Sequence, residues 1–533
     1  MITGPLIAVK GVLTSWGARA AHAQLKAQTT NTSSRIIDPF FFIYFECCPL
    51  TRDPRASTGS RPIADLSPKP NAPPPRIFAI DSNARHTRAH DDFRSRGDLD
   101  LTSLRDTLSG IYDSALDRCS PETLIDRVVA DGASLGLYAL DVTGERSASF
   151  AHEVPWPENS VHVLSVGKSA GRSLVGLDRA LPGRIDRALV ILPDDAEAPD
   201  ALPPHTRVLH GEHPIPGAGS LAAGHAALDF VEEVEPNDLL IVMVSGGSSA
   251  LLAAPIEPLE ISDLSETNRV LLASGAPIEI INGIRSRLSR IKSGRLGRAC
   301  RGELVTLVFS DVGGGPELVG SGPTISSSFD LGRAIDEYNL TERLPSRVLA
   351  PLVGSRPVRA RPHPIVPVAG PRHLVAAAAT ALEHQGFQVV HALHREESPT
   401  VEDRAAQLHR VAQELSPGSA WVEVCEPVIS LPSSPGTGGR STHLALLVAK
   451  AIAKEQRVGA LIAGSDGVDG TSNLAGAVID QDSWLTLPAP NAALERYDSG
   501  TFLEQSPDGV TVLAPGPTGI NLRDLHVVAA PLA

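Results

Sequence analysis

LLIVMVSGGSSALL, residues 239–252, decides the fold. Six consecutive apolar residues, several β-branched and too few for an ordinary helix, fit a strand buried on both faces. Ser245 to Ser249 are then only glycines and small hydroxyls, and good helix formers resume at Ala250. A strand that ends in a glycine turn and hands over to a helix is the repeating unit of a parallel sheet covered by helices. The turn itself admits two readings. It can be a tight packing device, or a cradle in which glycines let successive amides converge, serines add donors and a helix N-terminus supplies partial positive charge for an anion.

The same pattern recurs outward along the chain. VHVLSV (161–166), ALVIL (188–192) and LVTLVFS (304–310) are short β-branched runs, each leading into glycine or proline and separated by helix-length segments. Ahead of them, LTSLRDTLSGIYDSALDRC and PETLIDRVVADG space their apolar residues at three and four, with Ser120 and Pro121 as an N-cap and first-turn pair. A second α/β unit is read from the strands HPIVPVAG, VVHALH, WVEVCEP, GALIAGSDG and LHVVAAP and the helices HLVAAAATALEHQG and HLALLVAKAIAKE. The expected architecture is α/β with two domains. A Rossmann-like parallel-sheet domain spans 97–330, a linker marked by SSS, LPSR and RPVRARPHP spans 331–365, and a smaller α/β domain spans 366–533. A site in the crevice between them, at the carboxyl ends of the strands, is the default expectation.

Composition narrows the function. With 47 basic against 61 acidic residues the net charge is −14, which opposes attraction to a phosphate backbone or an anionic membrane. No apolar stretch approaches the ~20 residues of a membrane span. Cys47, Cys48, Cys119, Cys300 and Cys425 are odd in number and contain no CxxC spacing, so a reducing cytoplasm fits better than a disulfide framework. Residues 1–95, with AQTTNTSS and PKPNAPPPR, read as a disordered extension or a start placed too early; a targeting segment is the alternative, since the first acidic residue is Asp38.

Four loops carry chemistry. Besides Ser245, Gly246, Gly247, Ser248 and Ser249, the turn in VHVLSVGKSAGRSLV puts Lys168 where a strand meets a helix, a point charge suited to phosphate or carboxylate. INGIRSRLSRIKSGRLGRA gathers Arg285, Arg287, Arg290, Lys292, Arg295 and Arg298, which as a basic helix is either a solvated face or a ligand clamp; LVTLVFSDVGGG follows with Asp311 at a strand end. TGGRSTHLAL sets Arg440 before a helix, and GALIAGSDGVDGTSN sets Asp466 and Asp469 in a glycine-rich loop. Those two carboxylates would serve either as Mg²⁺ ligands or as a turn network that holds the loop.

The ordered set GKSA, HPIP, VSGGSSALL, INGIRSRLS, IKSGRL, SDV, SGPT, GGR, GSDGVDG and GPTGIN resembles the class II glycerate kinase family, the glycerate 2-kinases with DUF4147 and C-terminal MOFRL domains, over residues 100–530. The resemblance implies phosphorylation of D-glycerate to 2-phosphoglycerate with ATP and Mg²⁺, in a cleft between a Rossmann-like domain and a MOFRL domain. It implies catalytic roles for Lys168 and Arg440, nucleotide phosphates on Ser245 to Ser249, and places in the substrate or structural site for His213, Arg285, Lys292, Asp311 and Asn521. Asp466 and Asp469 would be the metal residues. Lys168 and Arg440 would then meet on the γ-phosphate as the cleft closes. The implied partner is a small hydroxy acid, with no nucleic acid and no membrane, and a homodimer is a candidate assembly.

The chain departs from the family pattern at named positions. Ser248 replaces a glycine, Gly313 to Gly315 replace Pro-Gly-Asp, His443 stands where an acidic residue is usual, Asn473 replaces an aspartate, and Gly217 follows HPIP where an acidic residue is expected. Two alternatives therefore stay open: a catalytically impaired relative that binds nucleotide or sugar acid, and a hydroxypyruvate reductase. The second ranks last, because no GxGxxG follows a strand with an acidic residue about 20 positions on.

Overall fold

Runs of β-branched residues become strands here because both of their faces find cover. The computed structural model describes residues 101–531 apart from 142–143, 311–314, 328–334, 336, 355–357, 454–456 and 506–508. Residues 1–95, with Cys47 and Cys48, and Asp311, Gly313 and Gly314 thus lie outside the described residues.

A three-stranded antiparallel sheet, β1 (Val129–Asp131), β2 (Leu135–Leu140) and β3 (Arg146–Val154), follows two helices, Leu101–Arg118 and Pro121–Val128. Ser120 caps the second helix, its Oγ accepting from the Thr123 amide, as the Ser-Pro pair predicts. Next come β4 (Val161–Val166), β5 (Arg187–Pro193), β6 (Thr206–Gly211), β7 (Leu239–Val244), β8 (Glu303–Phe309) and β9 (Ile365–Ala369). They form one sheet in the order β6-β5-β4-β7-β8-β9, every pair parallel. All six residues of β4 and all six of β7 are buried, as expected of central strands.

The strand at HPIVPVAG, read from sequence as the first of the second unit, is a correction: β9 is the edge strand of the first sheet. Pro367 inside it is tolerated because an edge strand leaves one row of backbone donors unpaired. Within the segment read as a linker, residues 340–354 are more ordered than their composition suggests. Leu340–Arg343 and Ser346–Gly354 are helical and bury Leu340, Leu344, Val348 and Leu352 against Leu264, Leu271 and Ile284.

The second large sheet comprises β10 (Gln388–His394), β11 (Ser419–Cys425), β12 (Gly459–Gly464), β13 (Gly476–Asp480), β14 (Thr511–Leu513) and β15 (Asp524–Ala529) in the order β10-β11-β15-β12-β13-β14. It is mixed: β10 and β11 are parallel, and the remaining pairs are antiparallel. Antiparallel β15 lies between β11 and β12, so its first residue, Asp524, sits level with their last ones, Cys425 and Gly464. A single cluster of buried side chains runs from Val163 and Ile241 under the first sheet to Val422, Leu461 and Val527 under the second. Among the described residues no helix is long and apolar enough to cross a membrane.

Candidate functional site

In the first sheet the chain leaves β4 toward β5 on one side and leaves β7 toward β8 on the other. Such a reversal opens a crevice at the carboxyl ends of the two central strands. The GKSA turn follows β4 and the SGGSS turn follows β7, so the topology brings both loops to that crevice. They are built against each other. The Lys168 amide donates to Gly246 O at 2.9 Å, and the Ser169 amide to Ser245 Oγ at 3.2 Å. Gly167, at φ +121°, is required, because a Cβ there would lie 2.2 Å from Ser245 Oγ.

The cradle is narrower than the sequence suggests. Ser245 Oγ donates to Val166 O (3.3 Å), Ser248 Oγ to Ser245 O (2.7 Å), and Ser249 Oγ pairs with Ser321 Oγ (2.8 Å), so the three hydroxyls hold the loop itself. The helix after the turn is only Ser248–Leu251, one turn, and carries little dipole. The Gly246 and Gly247 amides donate to no acceptor among the described residues, so they are the donors this loop leaves unspent. Ser248 in place of a glycine costs the backbone nothing, since the left-handed position is Gly247, at φ +86°.

The second sheet supplies the opposite wall. Arg440 opens the helix Arg440–Ile452. Its Nε and Nη2 donate to Asp524 at 2.6 and 2.9 Å, and Nη1 lies 3.1 Å from Glu426. Burial works against the guanidinium charge, but Asp524 and Glu426 outweigh it and hold the pKa above its usual value. Three of the five N–H donors are thereby fixed and two remain for a ligand. Neither Asp524 nor Glu426 is legible as a site residue: Asp524 opens a strand 84 residues along the chain from Arg440, and Glu426 directly follows the strand that ends at Cys425.

Lys168 and Arg440 line one cavity of about 370 Å³, together with His213, Asp466, Asp469 and Asp524. Lys168 Nζ stands 3.8 Å from Asp466. Burial pushes the Asp466 carboxyl up, with Lys168 opposing. Asp469 differs. Its Oδ1 accepts from the Ser441 amide at 3.0 Å, and its Oδ2 from the Thr442 amide and hydroxyl at 2.7 Å each, so both oxygens are spent on the start of the Arg440 helix. Of the two residues read as metal ligands, Asp466 is the one not committed to a helix start: its Oδ1 accepts from the Val468 amide at 3.5 Å and its Oδ2 faces Lys168 at 3.8 Å. Among the described residues no three His, Cys, Asp or Glu side chains gather to hold a metal alone. One carboxylate suits Mg²⁺, which completes its shell with water and phosphate oxygens.

The remaining candidates divide. His213 borders both Lys168 and Gly247: a Cβ on Gly247 would meet His213 Cδ2 at 3.4 Å and Lys168 Cγ at 3.6 Å. Burial, and then Lys168, lower the His213 pKa. Asn521 shares a smaller cleft with Lys168, Ser245 and Gly246. Lys292 does not reach the large cavity; it is buried, and its Nζ donates to Ser249 O at 2.5 Å and Leu252 O at 3.4 Å. Arg285 donates from Nε to Asn268 Oδ1 at 2.5 Å. Beside Gly217 stands a carboxylate from earlier in the chain. The Glu212 carboxylate accepts from the Gly219 and Ser220 amides, and a Cβ on Gly217 would lie 2.6 Å from its Cδ. Those amides overcome burial and bring the Glu212 carboxyl down to about 2. His443 stacks on Tyr497 inside the fold, and Asn473 is exposed.

The chain matches the family described as "Domain of unknown function (DUF4147)" over residues 107–353 and the MOFRL family over 419–524. A glycerate kinase of Macaca fascicularis is 32% identical, covering 61% of this chain and 98% of that protein. A protein of Agrobacterium vitis, provisionally named a hydroxypyruvate reductase, is 31% identical, covering 70% of this chain and 87% of that one. The crystal structure of a glycerate kinase from Thermotoga maritima superposes with a TM-score of 0.67 at 23% identity, covering 80% of this chain and all of that one.

Proposed function

This chain belongs to the glycerate 2-kinase family, built from DUF4147 and MOFRL domains, and on that premise we propose that it transfers the γ-phosphoryl group of ATP to D-glycerate, giving 2-phosphoglycerate. The observation that carries the reading is that Lys168 and Arg440, from different sheets, line the same cavity. Phosphoryl transfer asks little covalent chemistry of the protein; it asks for positioning and for charge around the transferred group. Lys168 supplies an ammonium held only loosely, at 3.8 Å from Asp466, so it can move to a phosphate oxygen. Arg440 is pre-aimed by Asp524 and Glu426 and offers its two remaining N–H groups. The Gly246 and Gly247 amides offer donors to the nucleotide phosphates. Asp466 would hold Mg²⁺, which would offset phosphate charge there. The protein works in this reading as a cytoplasmic enzyme on a small hydroxy acid.

The test is a full-chain assay with MgATP and D-glycerate, following ADP and identifying the product by ³¹P spectroscopy, with NADH oxidation on hydroxypyruvate run in parallel. ADP release should depend on glycerate, and Lys168→Ala and Arg440→Ala should each lower kcat by about 10²- to 10³-fold. ATP binding with no turnover would identify an impaired relative instead. Turnover unchanged in Lys168→Ala would remove that residue from the mechanism.

A further inference from the structure

Resting on the kinase reading, we infer that Asp195, which lies outside every motif of the resemblance, joins Asp466 in holding the divalent cation that accompanies the nucleotide. Asp195 stands just past the carboxyl end of β5, in LPDDAEAP (192–199). The backbone on either side of it is pinned. The Asp194 amide donates to Gly211 O at 3.0 Å, and the Ala196 amide to Pro193 O at 3.1 Å. The end of β5 is itself tied to the GKSA turn, the Gly167 amide donating to Ile191 O at 3.2 Å. This loop is thus part of the same crevice, and Asp195 lines the large cavity with Lys168, Arg440 and Asp466.

Partnering singles this carboxylate out. Asp524 gives both oxygens to the Arg440 guanidinium, Asp469 gives both to the start of the helix Arg440–Ile452, and Asp466 faces Lys168. Asp195 makes no hydrogen bond or ion pair among the described residues. An exposed aspartate without a partner is ordinarily just solvated. The charge of this cavity argues otherwise. Two cations, Lys168 and Arg440, stand against four carboxylates, Asp195, Asp466, Asp469 and Asp524, a net of −2, and burial followed by Lys168 disfavours charge on His213. A nucleoside triphosphate and a hydroxy acid add further negative charge, which such a lining repels. One divalent cation brings the lining to neutral, and the carboxylate with no partner is the one free to receive it. Mg²⁺ takes one or two carboxylates and completes its shell with water and phosphate oxygens, so Asp195 and Asp466 meet its needs without a third protein ligand.

Mn²⁺ reports its own binding by electron paramagnetic resonance, and its titration into the full chain with a non-hydrolysable ATP analogue tests this. The proteins compared are wild type, Asp195→Asn, Asp466→Asn and Asp200→Asn. Asp200 is exposed in the same segment but lies outside the cavity, so it controls for the loss of one negative charge. The Mn²⁺ dissociation constant should rise about 10- to 100-fold in Asp195→Asn and in Asp466→Asn, and stay within about twofold in Asp200→Asn. Asp195→Asn should keep the metal-free melting temperature, because no structural bond is lost. Mn²⁺ affinity unchanged in Asp195→Asn, or lowered equally in Asp200→Asn, would overturn the assignment, as would a wild type that binds no Mn²⁺ with the nucleotide. Affinity kept while kcat falls would make Asp195 a proton acceptor instead. If the wild type binds Mn²⁺ through Asp195 without phosphorylating glycerate, the kinase reading fails and this one stands. If it phosphorylates glycerate and Mn²⁺ binding ignores Asp195, only this one fails.

Discussion

Lys292 shows what a single buried charge costs. Its ammonium has two carbonyl partners, Ser249 O and Leu252 O, and no carboxylate partner among the described residues. Burial, reinforced by Arg285, brings its pKa down to about 7, against about 10.4 for a lysine in an unfolded chain. The folded state therefore gives up the proton first. Between about pH 7 and pH 10.4 the unfolded chain binds more protons, so stability rises with pH across that window, and below pH 7 the whole cost is present. Lys292→Met removes the charge at every pH, while its loss of two carbonyl bonds is a constant offset. The variant's stability relative to wild type should thus be most favourable near pH 6. It should decline toward pH 10 by up to roughly 4–5 kcal/mol. Urea midpoints at pH 6, 8 and 10 read this directly, and parallel curves would mean that Lys292 titrates as in the unfolded chain. Arg285, seven residues earlier in the same basic run, is likewise lowered by burial, to about 10.

The helix Arg440–Ile452 depends on a carboxylate from another loop. Gly439 precedes it with no capping side chain, and Asp469 fills that role through the Ser441 and Thr442 amides and the Thr442 hydroxyl. Asp469→Ala should cost about 1–3 kcal/mol by thermal melting, the value of a lost cap whose donors stay buried. The Mg²⁺ concentration for half-maximal turnover should not move. Asp466→Asn should do the reverse, with little change in melting temperature and a higher Mg²⁺ requirement; a metal effect from Asp469→Ala alone would reverse the assignment. This contrast bounds what sequence discloses. GSDGVDG shows two aspartates in one loop, but which points to a helix end and which to the cavity is set by the turn's backbone. The strands were legible because their β-branched runs are short and both-sides apolar. The sheet that β9 joins was not, since a strand's own pattern says nothing of its neighbour, and the Pro-rich RPVRARPHP before it imitates a boundary. Asp524 and Glu426 stayed hidden because β15 threads between β11 and β12, a pairing no local pattern encodes.

At the scale of the whole molecule, the expectation of two bodies hinged about a cleft meets a shared core. Val163, Ile241, Leu374, Val422, Leu461 and Val527 belong to one buried cluster that joins both large sheets, and the helix Leu101–Arg118 contributes Leu104, Leu108 and Ile111 to it. That helix is also tied to the second sheet by Tyr112, whose hydroxyl donates to Gly464 O at 2.6 Å, at the root of the loop carrying Asp466. Burial and then Asp466 raise the Tyr112 pKa, so the phenol keeps its proton and the bond persists across the working pH range. Wide opening would pull apolar surface out of this cluster at about 25 cal/mol per Å², so access is better served by small movements of the 167–169 and 465–470 loops. Calorimetry should accordingly show the two sheets melting in one transition, with a calorimetric to van't Hoff enthalpy ratio near one. Tyr112→Phe should shift that transition as a whole, by about 1 kcal/mol for the loss of one buried hydrogen bond, Gly464 O keeping the Gly467 amide at 3.4 Å. Two resolved transitions, with Tyr112→Phe moving only one of them, would instead make the sheets independent folding units and restore the hinge.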